Sequence, residues 1–212
     1  MKLLEREDIV RDANTAGIVD IRKERTPMVG GMTSMYSKRW IHYFMDIAER
    51  TALQSKDPST KVGAVLVKDR RVMATGYNGF ARGVDDSKER YDDRSTKLMY
   101  VVHAEANCIA QCAKYGVACD GLILFVTLVP CTECAKLLIN SGIKVIVFKK
   151  QDLAVRRVAS EYEWRDKISS SVNMLHEAGI ELYEYDQDKE ILTEMSTDFV
   201  IDLCHPESSF QE

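Results

Sequence analysis

Two short segments constrain this chain more than any other feature of its sequence. The first is Val101-Val102-His103-Ala104-Glu105, and the second is Pro130-Cys131-Thr132-Glu133-Cys134. Together they offer one histidine nitrogen and two cysteine sulfurs to a metal ion. A structural zinc site fills all four tetrahedral positions with protein ligands, whereas a catalytic site leaves one position for water. His103, Cys131 and Cys134 therefore predict a catalytic Zn²⁺ site.

The remaining residues of the two segments suit hydrolytic chemistry at such a site. Zinc lowers the pKa of a bound water to about 7. Glu105 lies two residues after His103, close enough to exchange protons with that water without being a ligand. Cys131 and Cys134 fall in the first turn of a predicted helix, where the helix dipole lowers the pKa of a thiol. A Cys-x-x-Cys pair alone is often a structural zinc site or a redox pair, but the histidine, glutamate and proline favour catalysis.

Charge and cysteine content narrow the class of protein. The formal net charge is −4 and the isoelectric point about 5.7, which argues against a polynucleotide partner because such proteins usually carry a basic face. Residues 1–10 lack the apolar core of a signal peptide, and the apolar run at 122–129 is too short to cross a bilayer. Six cysteines without a secretion signal indicate thiols and metal ligands. We expect a soluble cytoplasmic protein (host-cell cytoplasm if viral) that does not bind membranes.

Hydrophobic spacing and turn residues predict an α/β domain. Helices are expected from Ser34 or Ser37 to about Gln54, and at 103–115, 130–141 and 167–178. Strands are expected at 62–67, 71–77, 122–127, 144–148 and 180–185, the first two forming a hairpin around 68–70. Residues 84–97 are almost wholly polar and predict an exposed loop, and an amphipathic segment at 191–203 suggests a further helix. The domain prediction is an N-terminal arm at 1–32, a zinc-dependent domain at 33–186 and a C-terminal extension at 187–212.

Several segments beyond the metal motifs resemble the deoxycytidylate (dCMP) deaminase family. They are Ser55-Lys56-Asp57-Pro58, Val62-Gly63-Ala64, Gly76-Tyr77-Asn78-Gly79-Phe80 and Ala178-Gly179-Ile180. The His-x-Glu and Pro-Cys-x-x-Cys pair itself is the signature of zinc nucleobase deaminases. The resemblance implies a three-layer α/β/α cytidine-deaminase-like sandwich around a five-stranded mixed sheet. It also implies hydrolysis of dCMP to dUMP, a reaction that feeds thymidylate synthesis, with Glu105 as the catalytic acid and base.

The same resemblance suggests substrate contacts. Asn78 would hydrogen-bond the deoxyribose, and Tyr162, expected in the connection before the last helix, would contact the substrate. Thr60 would bond sugar or phosphate, and Ala104 adjoins the catalytic glutamate. The phosphate needs charge-assisted donors, for which the candidates are Lys56, Lys61 and Arg165.

Regulation is a further expectation from the family. Members are commonly hexamers activated by dCTP, with which Mg²⁺ would bind, and inhibited by dTTP. The candidate effector residues are Gly76, Tyr77, Asn78, Gly79 and Arg82. The alternative explanation of this loop is a tight turn in which Gly79 adopts a positive φ. Ala81 occupies a position where many members have proline, and this replacement of proline by alanine makes the loop less rigid.

Three other functions are compatible with the motifs. The substrate could be dCTP or a 5-modified dCMP instead of dCMP. A deaminase acting on a base within RNA or DNA would share the zinc site, but it should carry a basic binding face, whereas residues 84–93 are rich in aspartate and glutamate. A non-catalytic zinc module would have no use for Glu105 beside an open coordination position.

Overall fold

The computed structural model describes residues 32–151 and 162–195. The chain divides into two compact units, Met1–Met35 and Tyr36–Glu212. Of the first unit, the described part is the short helix α1 (Met32–Met35). All other elements belong to the second unit. The three-part division at residues 32 and 186 stays a prediction.

The second unit alternates strands and helices along the chain. In chain order its elements are α2 (Lys38–Ala52), β1 (Gly63–Lys68), β2 (Arg71–Tyr77), β3 (Gly79–Phe80), α3 (Lys88–Asp92), α4 (Arg94–Tyr100), β4 (Val101–Val102), α5 (Ala104–Tyr115), β5 (Ile123–Val126), α6 (Thr132–Asn140), β6 (Val145–Lys149), α7 (Tyr162–Glu177), β7 (Glu181–Asp186) and β8 (Ile191–Glu194). Within the described ranges, no helix is long and apolar enough to span a bilayer.

Six strands form one mixed sheet in the order β2-β1-β5-β6-β7-β8, and β3 pairs separately with β4. The strands β5, β6 and β7 are parallel, as the strand–helix alternation predicts, and the remaining pairs are antiparallel. The expected count of five strands is therefore wrong by one. The added strand, β8, occupies the start of the segment expected to be an amphipathic helix, and the rest of that segment lies outside the described residues. Residues 191–194 are extended because they pair with β7. The pairing continues after β8, where the backbone N–H of Met195 donates to Leu182 O at 2.8 Å.

The β1–β2 hairpin forms where it is expected. Its turn residues, Asp69 and Arg70, have φ angles of 50° and 61°. Positive φ at both central residues is the type I′ geometry, whose twist matches that of the flanking strands. Gly116, Gly142 and Gly179 also have positive φ, the conformation in which glycine commonly ends a helix.

Helices cover both faces of the sheet, which gives the three-layer architecture. On one face, Gly63 of β1 lies so close to α2 that an added Cβ would meet Ala48 O at 2.0 Å. On the other face, Gly76 of β2 lies against α5, where an added Cβ would meet Ala104 O at 2.3 Å. Gly76 pairs with Ala64, the neighbour of Gly63, and successive residues of a strand point to opposite faces. Cys108 and Cys112 of α5 are buried in the core.

Two predictions about connections are wrong. Residues 84–97 do not form a plain loop, because they contain α3 and most of α4. Asp93 caps α4 by accepting from the backbone of Ser95 and Thr96, and Tyr91 of α3 is buried by stacking on Phe80 with ring centroids 4.3 Å apart. The buried ring of Tyr91 and the capping side chain of Asp93 therefore give residues 84–97 a helical structure, although their polar composition predicts an exposed loop. Helix α7 begins at Tyr162, earlier than the expected residue 167.

Candidate metal and catalytic site

The two motif segments meet at the starts of two helices. His103 is the N-cap of α5 and Cys131 is the N-cap of α6. His103 Nδ1 lies 3.4 Å from the Sγ atom of Cys131 and 3.4 Å from that of Cys134. The three ligand atoms all lie within 4.8 Å of one another. A tetrahedral zinc with nitrogen and sulfur ligands separates those atoms by roughly 3.5 Å, so this donor set fits a zinc ion.

Local structure explains the convergence of the metal-binding residues. The short strand β4 pairs with β3 and delivers the chain directly to His103. Strand β5 ends shortly before Pro130, whose carbonyl oxygen accepts a 2.7 Å hydrogen bond from Ser171 Oγ of α7. That buried contact fixes the segment that enters α6 and therefore the position of Cys131.

The two thiols of the group differ in their proton affinity. Hydrogen bonds that Cys131 accepts from Cys134 and then from His103 lower its pKa to about 3, against the opposing effect of burial. The pKa of Cys134 is raised, because it shares a hydrogen bond with Cys131 and is itself buried. The hydrogen bond to Cys131 also raises the pKa of His103. The pKa of Cys131 is therefore lowered as expected, but by hydrogen bonds with Cys134 and His103, whereas the pKa of Cys134 is raised, contrary to the expectation.

Glu105 lies in the first turn of α5, with only 4% of its surface exposed. Burial is the largest influence on its carboxyl group and raises its pKa. The carboxyl also contacts the thiol of Cys134 through a hydrogen bond. A buried carboxyl group with a raised pKa, set against a metal-ligand group, can both accept and donate protons.

Asn78, expected to bind the sugar, is buried and already hydrogen-bonded through both ends of its amide. Its Oδ1 accepts from the backbone N–H of Val62 at 2.8 Å. Its Nδ2 donates to Thr60 O at 2.9 Å and to Asp57 Oδ2 at 3.4 Å. A carbonyl oxygen has two lone pairs, so Asn78 retains one acceptor position and no donor.

The other substrate candidates fall in three different settings. Thr60 and Lys61 are exposed and line a cavity of about 1130 Å³ together with Thr127 and residues after β6. Ala104 is fully buried, in the first turn of α5. Lys56 is exposed and ion-paired with Asp86 at 2.7 Å. Tyr162 and Arg165 lie on α7 rather than in a connection, and their side chains fall outside the described residues.

The candidate effector residues divide by exposure. Tyr77 and Arg82 are exposed, whereas Gly76, Asn78 and Gly79 are buried. Gly79 belongs to β3 and is absent from the glycines of positive φ, so the tight-turn explanation of this residue is wrong. Gly76 serves the close approach of β2 to α5, as the added-Cβ distance shows.

A buried ion pair beside Asn78 was not found by sequence reasoning. Lys97 of α4 and Asp57 are 8% and 5% exposed, and Lys97 Nζ lies 3.1 Å from Asp57 Oδ1. Lysine is almost never buried unless it is paired, and the polar surroundings of Lys97 in the sequence indicate an exposed loop. The Ser55-Lys56-Asp57-Pro58 segment was the only available signal, and it did not point to a partner forty residues away.

Comparisons with known proteins agree with this geometry. Residues 38–150 match the family model of the cytidine and deoxycytidylate deaminase zinc-binding region. A probable deoxycytidylate deaminase of Drosophila melanogaster is 35% identical over 73% of this chain and 76% of that protein. The Homo sapiens deoxycytidylate deaminase is 33% identical over 66% of this chain and 76% of that protein. Among solved structures, the dCMP deaminase of cyanophage S-TIM5 in complex with dCMP and dUMP is similar at a TM-score of 0.53 and 25% identity, over 67% of this chain and 93% of that one.

Proposed function

This chain belongs to the cytidine and deoxycytidylate deaminase zinc-binding family, and we propose that it hydrolyses dCMP to dUMP and ammonia. The observation that carries the proposal is the convergence of His103, Cys131 and Cys134 beside the buried carboxyl group of Glu105. The substrate assignment is supported by relatives named deoxycytidylate deaminase and by the similar structure with dCMP and dUMP.

The metal would be held by His103 Nδ1 and by the sulfurs of Cys131 and Cys134. Bound there, Zn²⁺ would supply a Lewis acid that lowers the pKa of a water at its open position. The acidic Cys131 thiol favours this, since a metal-binding thiol must lose its proton.

Glu105 moves the protons of the reaction. It accepts a proton from the attacking water, whose oxygen bonds to C4 of the cytosine ring, and it delivers that proton to N3. It then carries the second proton of the water to the amino group, the C4–N bond breaks, and ammonia leaves while C4 becomes a carbonyl. The burial that raises the pKa of Glu105 suits it to both transfers.

Substrate contacts and regulation extend the proposal. Asn78 would accept a hydrogen bond from the deoxyribose through its remaining Oδ1 lone pair, while Thr60, Lys61, Ala104 and Tyr162 would complete the substrate site. A homohexamer activated by dCTP with Mg²⁺ and inhibited by dTTP would use the Gly76–Arg82 loop, where Tyr77 and Arg82 expose their side chains. Dose–response curves of dCMP turnover with each effector test this, and unchanged curves would remove the regulatory part.

Ammonia release from a substrate panel tests the main proposal. The panel is dCMP, dCTP, CMP, deoxycytidine, 5-methyl-dCMP and a short single-stranded DNA, with the highest kcat/KM expected for dCMP. Preference for dCTP or 5-methyl-dCMP would move the assignment to another free nucleotide. Turnover of the DNA alone would overturn it.

The role of Glu105 is tested by Glu105→Gln, with Glu133→Gln as a matched control in the second motif. Glu133 is exposed and pairs with Lys136 at 2.6 Å, so its replacement should leave kcat almost unchanged. Glu105→Gln should retain zinc, measured by elemental analysis, and lose about 10²- to 10⁴-fold in kcat. Removal of zinc with a chelator should abolish turnover in the unaltered chain and added zinc should restore it. Full activity of Glu105→Gln would contradict the mechanism.

A further inference from the structure

Lys97 is a buried charged side chain that links two separate segments of the second unit, and only 8% of its surface is exposed. It lies on α4, six residues before His103, and its Nζ donates to Asp57 Oδ1 at 3.1 Å and to Ser59 Oγ at 3.2 Å. Both acceptors belong to the segment that leads into β1. Lys97 therefore ties the helix before the metal-binding histidine to that segment.

The carboxylate of Asp57 accepts several further hydrogen bonds. Its Oδ1 also accepts from the backbone N–H groups of Ser59 at 2.8 Å and Thr60 at 3.1 Å, and its Oδ2 accepts from Asn78 Nδ2 at 3.4 Å. Burial acts to raise the pKa of Asp57, but the two backbone N–H groups and Lys97 outweigh it, so the pKa lies below its ordinary value. The carboxylate stays charged and keeps all of these donors.

These contacts determine which way the amide of Asn78 faces. Its Nδ2 meets two oxygen acceptors, Thr60 O and Asp57 Oδ2, and its Oδ1 meets the N–H of Val62. The backbone is held as well, since Ser55 Oγ donates to Asn78 O at 2.8 Å. A reversed amide would set Nδ2 against an N–H donor, so Oδ1 is the atom that presents a free lone pair.

The same residues adjoin the metal-bearing helix. Asn107 of α5 donates to Tyr77 O, the residue before Asn78, at 2.8 Å. Immediately after Asn78, β3 pairs with β4, the strand that ends at His103. A displacement of Asn78 is thereby coupled to the first turn of α5.

We propose that Lys97 and Asp57 are positioning residues that fix Asn78 Oδ1 as the acceptor for the 3′-hydroxyl group of the substrate sugar. The inference rests on the proposed function, because it needs a deoxynucleotide in the site. Apolar side chains could fill the same space without the cost of burying charge. Unlike apolar side chains, the Lys97–Asp57 pair orients the amide of Asn78 and the 59–62 segment at the same time.

The test compares dCMP with 2′,3′-dideoxycytidine 5′-monophosphate, which lacks the 3′-hydroxyl group. In the unaltered chain, kcat/KM should favour dCMP by about tenfold, the worth of one well-made hydrogen bond. In Lys97→Met the ratio should fall to about one in protein that remains folded and zinc-loaded. Lys97→Arg, which keeps the charge, should recover part of it. Lys88→Met is the matched control, because Lys88 forms an exposed pair with Asp92, and it should keep the full ratio.

A merely structural role of Lys97 would change the melting temperature but not this ratio. An unchanged ratio in Lys97→Met would overturn the inference, as would a ratio near one in the unaltered chain. If Lys97→Met does not fold, Ser59→Ala decides, because it removes only one contact of Lys97 and should lower the ratio about twofold; no change there would also overturn it. Absence of any dCMP turnover by the unaltered chain would instead reject the proposed function, and this inference with it.

Discussion

Two buried carboxyl groups in the second unit have opposite proton affinities because their neighbours differ. Burial dominates at Glu105 and raises its pKa. At Asp57 the backbone N–H groups of Thr60 and Ser59, together with Lys97, outweigh burial and lower it. The raised pKa of Glu105 suits it to exchanging protons, whereas Asp57 stays ionised and holds its hydrogen-bond donors in place. Residue type alone would treat the two groups alike.

The lowered pKa of Asp57 predicts how its contribution to stability depends on pH. Asp57→Asn should reduce the free energy of unfolding at neutral pH by about 3–5 kcal/mol, since Lys97 is left buried without its carboxylate. A lowered folded-state pKa gives stability that is present above the unfolded value of 3.8 and is lost as the pH falls through the folded value. The difference between the two chains should therefore shrink as the pH is lowered below about 4. Urea unfolding of both chains across this range measures it, and a constant difference would contradict the pKa assignment.

At the scale of the elements, short-range patterns predict some segments well and fail for others. The β1–β2 hairpin forms as expected because two turn residues, Asp69 and Arg70, supply the required backbone geometry locally. The helix starts at His103 and Cys131 also follow from local motifs. The polar 84–97 segment is misjudged because its order depends on Phe80, to which Tyr91 is stacked. Likewise β8 depends on pairing with β7.

The contact between β2 and α5 predicts a strong effect of Gly76→Ala. An added Cβ would lie 2.3 Å from Ala104 O and 2.7 Å from Cys108 N, both backbone atoms that have no rotamer with which to yield. The strand and the helix carrying Glu105 must separate, which should cost about 1–3 kcal/mol in the free energy of unfolding and should lower kcat. Gly79→Ala is the matched control, since its added Cβ would meet no atom closer than 3.6 Å. Chemical unfolding and dCMP turnover measure both; equal losses for the two variants would show that the close approach is unimportant.

At the scale of the whole molecule, the sheet extends beyond the expected domain end at residue 186. Strand β8 covers the edge of β7, and Met195 after it is 1% exposed. An uncovered strand edge presents unpaired backbone groups that promote aggregation. Strand β8 therefore belongs to the same sheet as the strands that precede residue 186.

Truncation tests this extension of the sheet. A chain ending at residue 186 loses β8 and the burial of Met195, worth about 2 kcal/mol for such a side chain, and should melt about 5 °C lower than the full chain. A chain ending at Met195 is the matched control, because it keeps β8. Thermal unfolding followed by circular dichroism distinguishes them, and equal melting temperatures for the two truncated chains would show that β8 contributes nothing.

The amino-acid sequence alone identified the three candidate metal ligands, the candidate catalytic carboxyl group and the order of the main strands and helices. It could do so because each rests on chemistry or periodicity carried within a few residues, as in His103-Ala104-Glu105 and Cys131-x-x-Cys134. The dCMP deaminase resemblance added the family. The resemblance also identified Asn78 as a candidate sugar-binding residue, but the orientation of its side-chain amide was not predicted.

Which distant groups share an environment followed from the tertiary structure and not from local patterns. Lys97 and Asp57 pair across forty residues, Gly76 is required by a helix that begins at Ala104, and β8 becomes a strand because β7 offers an open edge. Each of these features depends on contacts between segments that are distant in the sequence, and a local sequence pattern does not specify such contacts. The pKa of Glu105 belongs with them, since burial by the surrounding elements, and not the sequence around the residue, raises it.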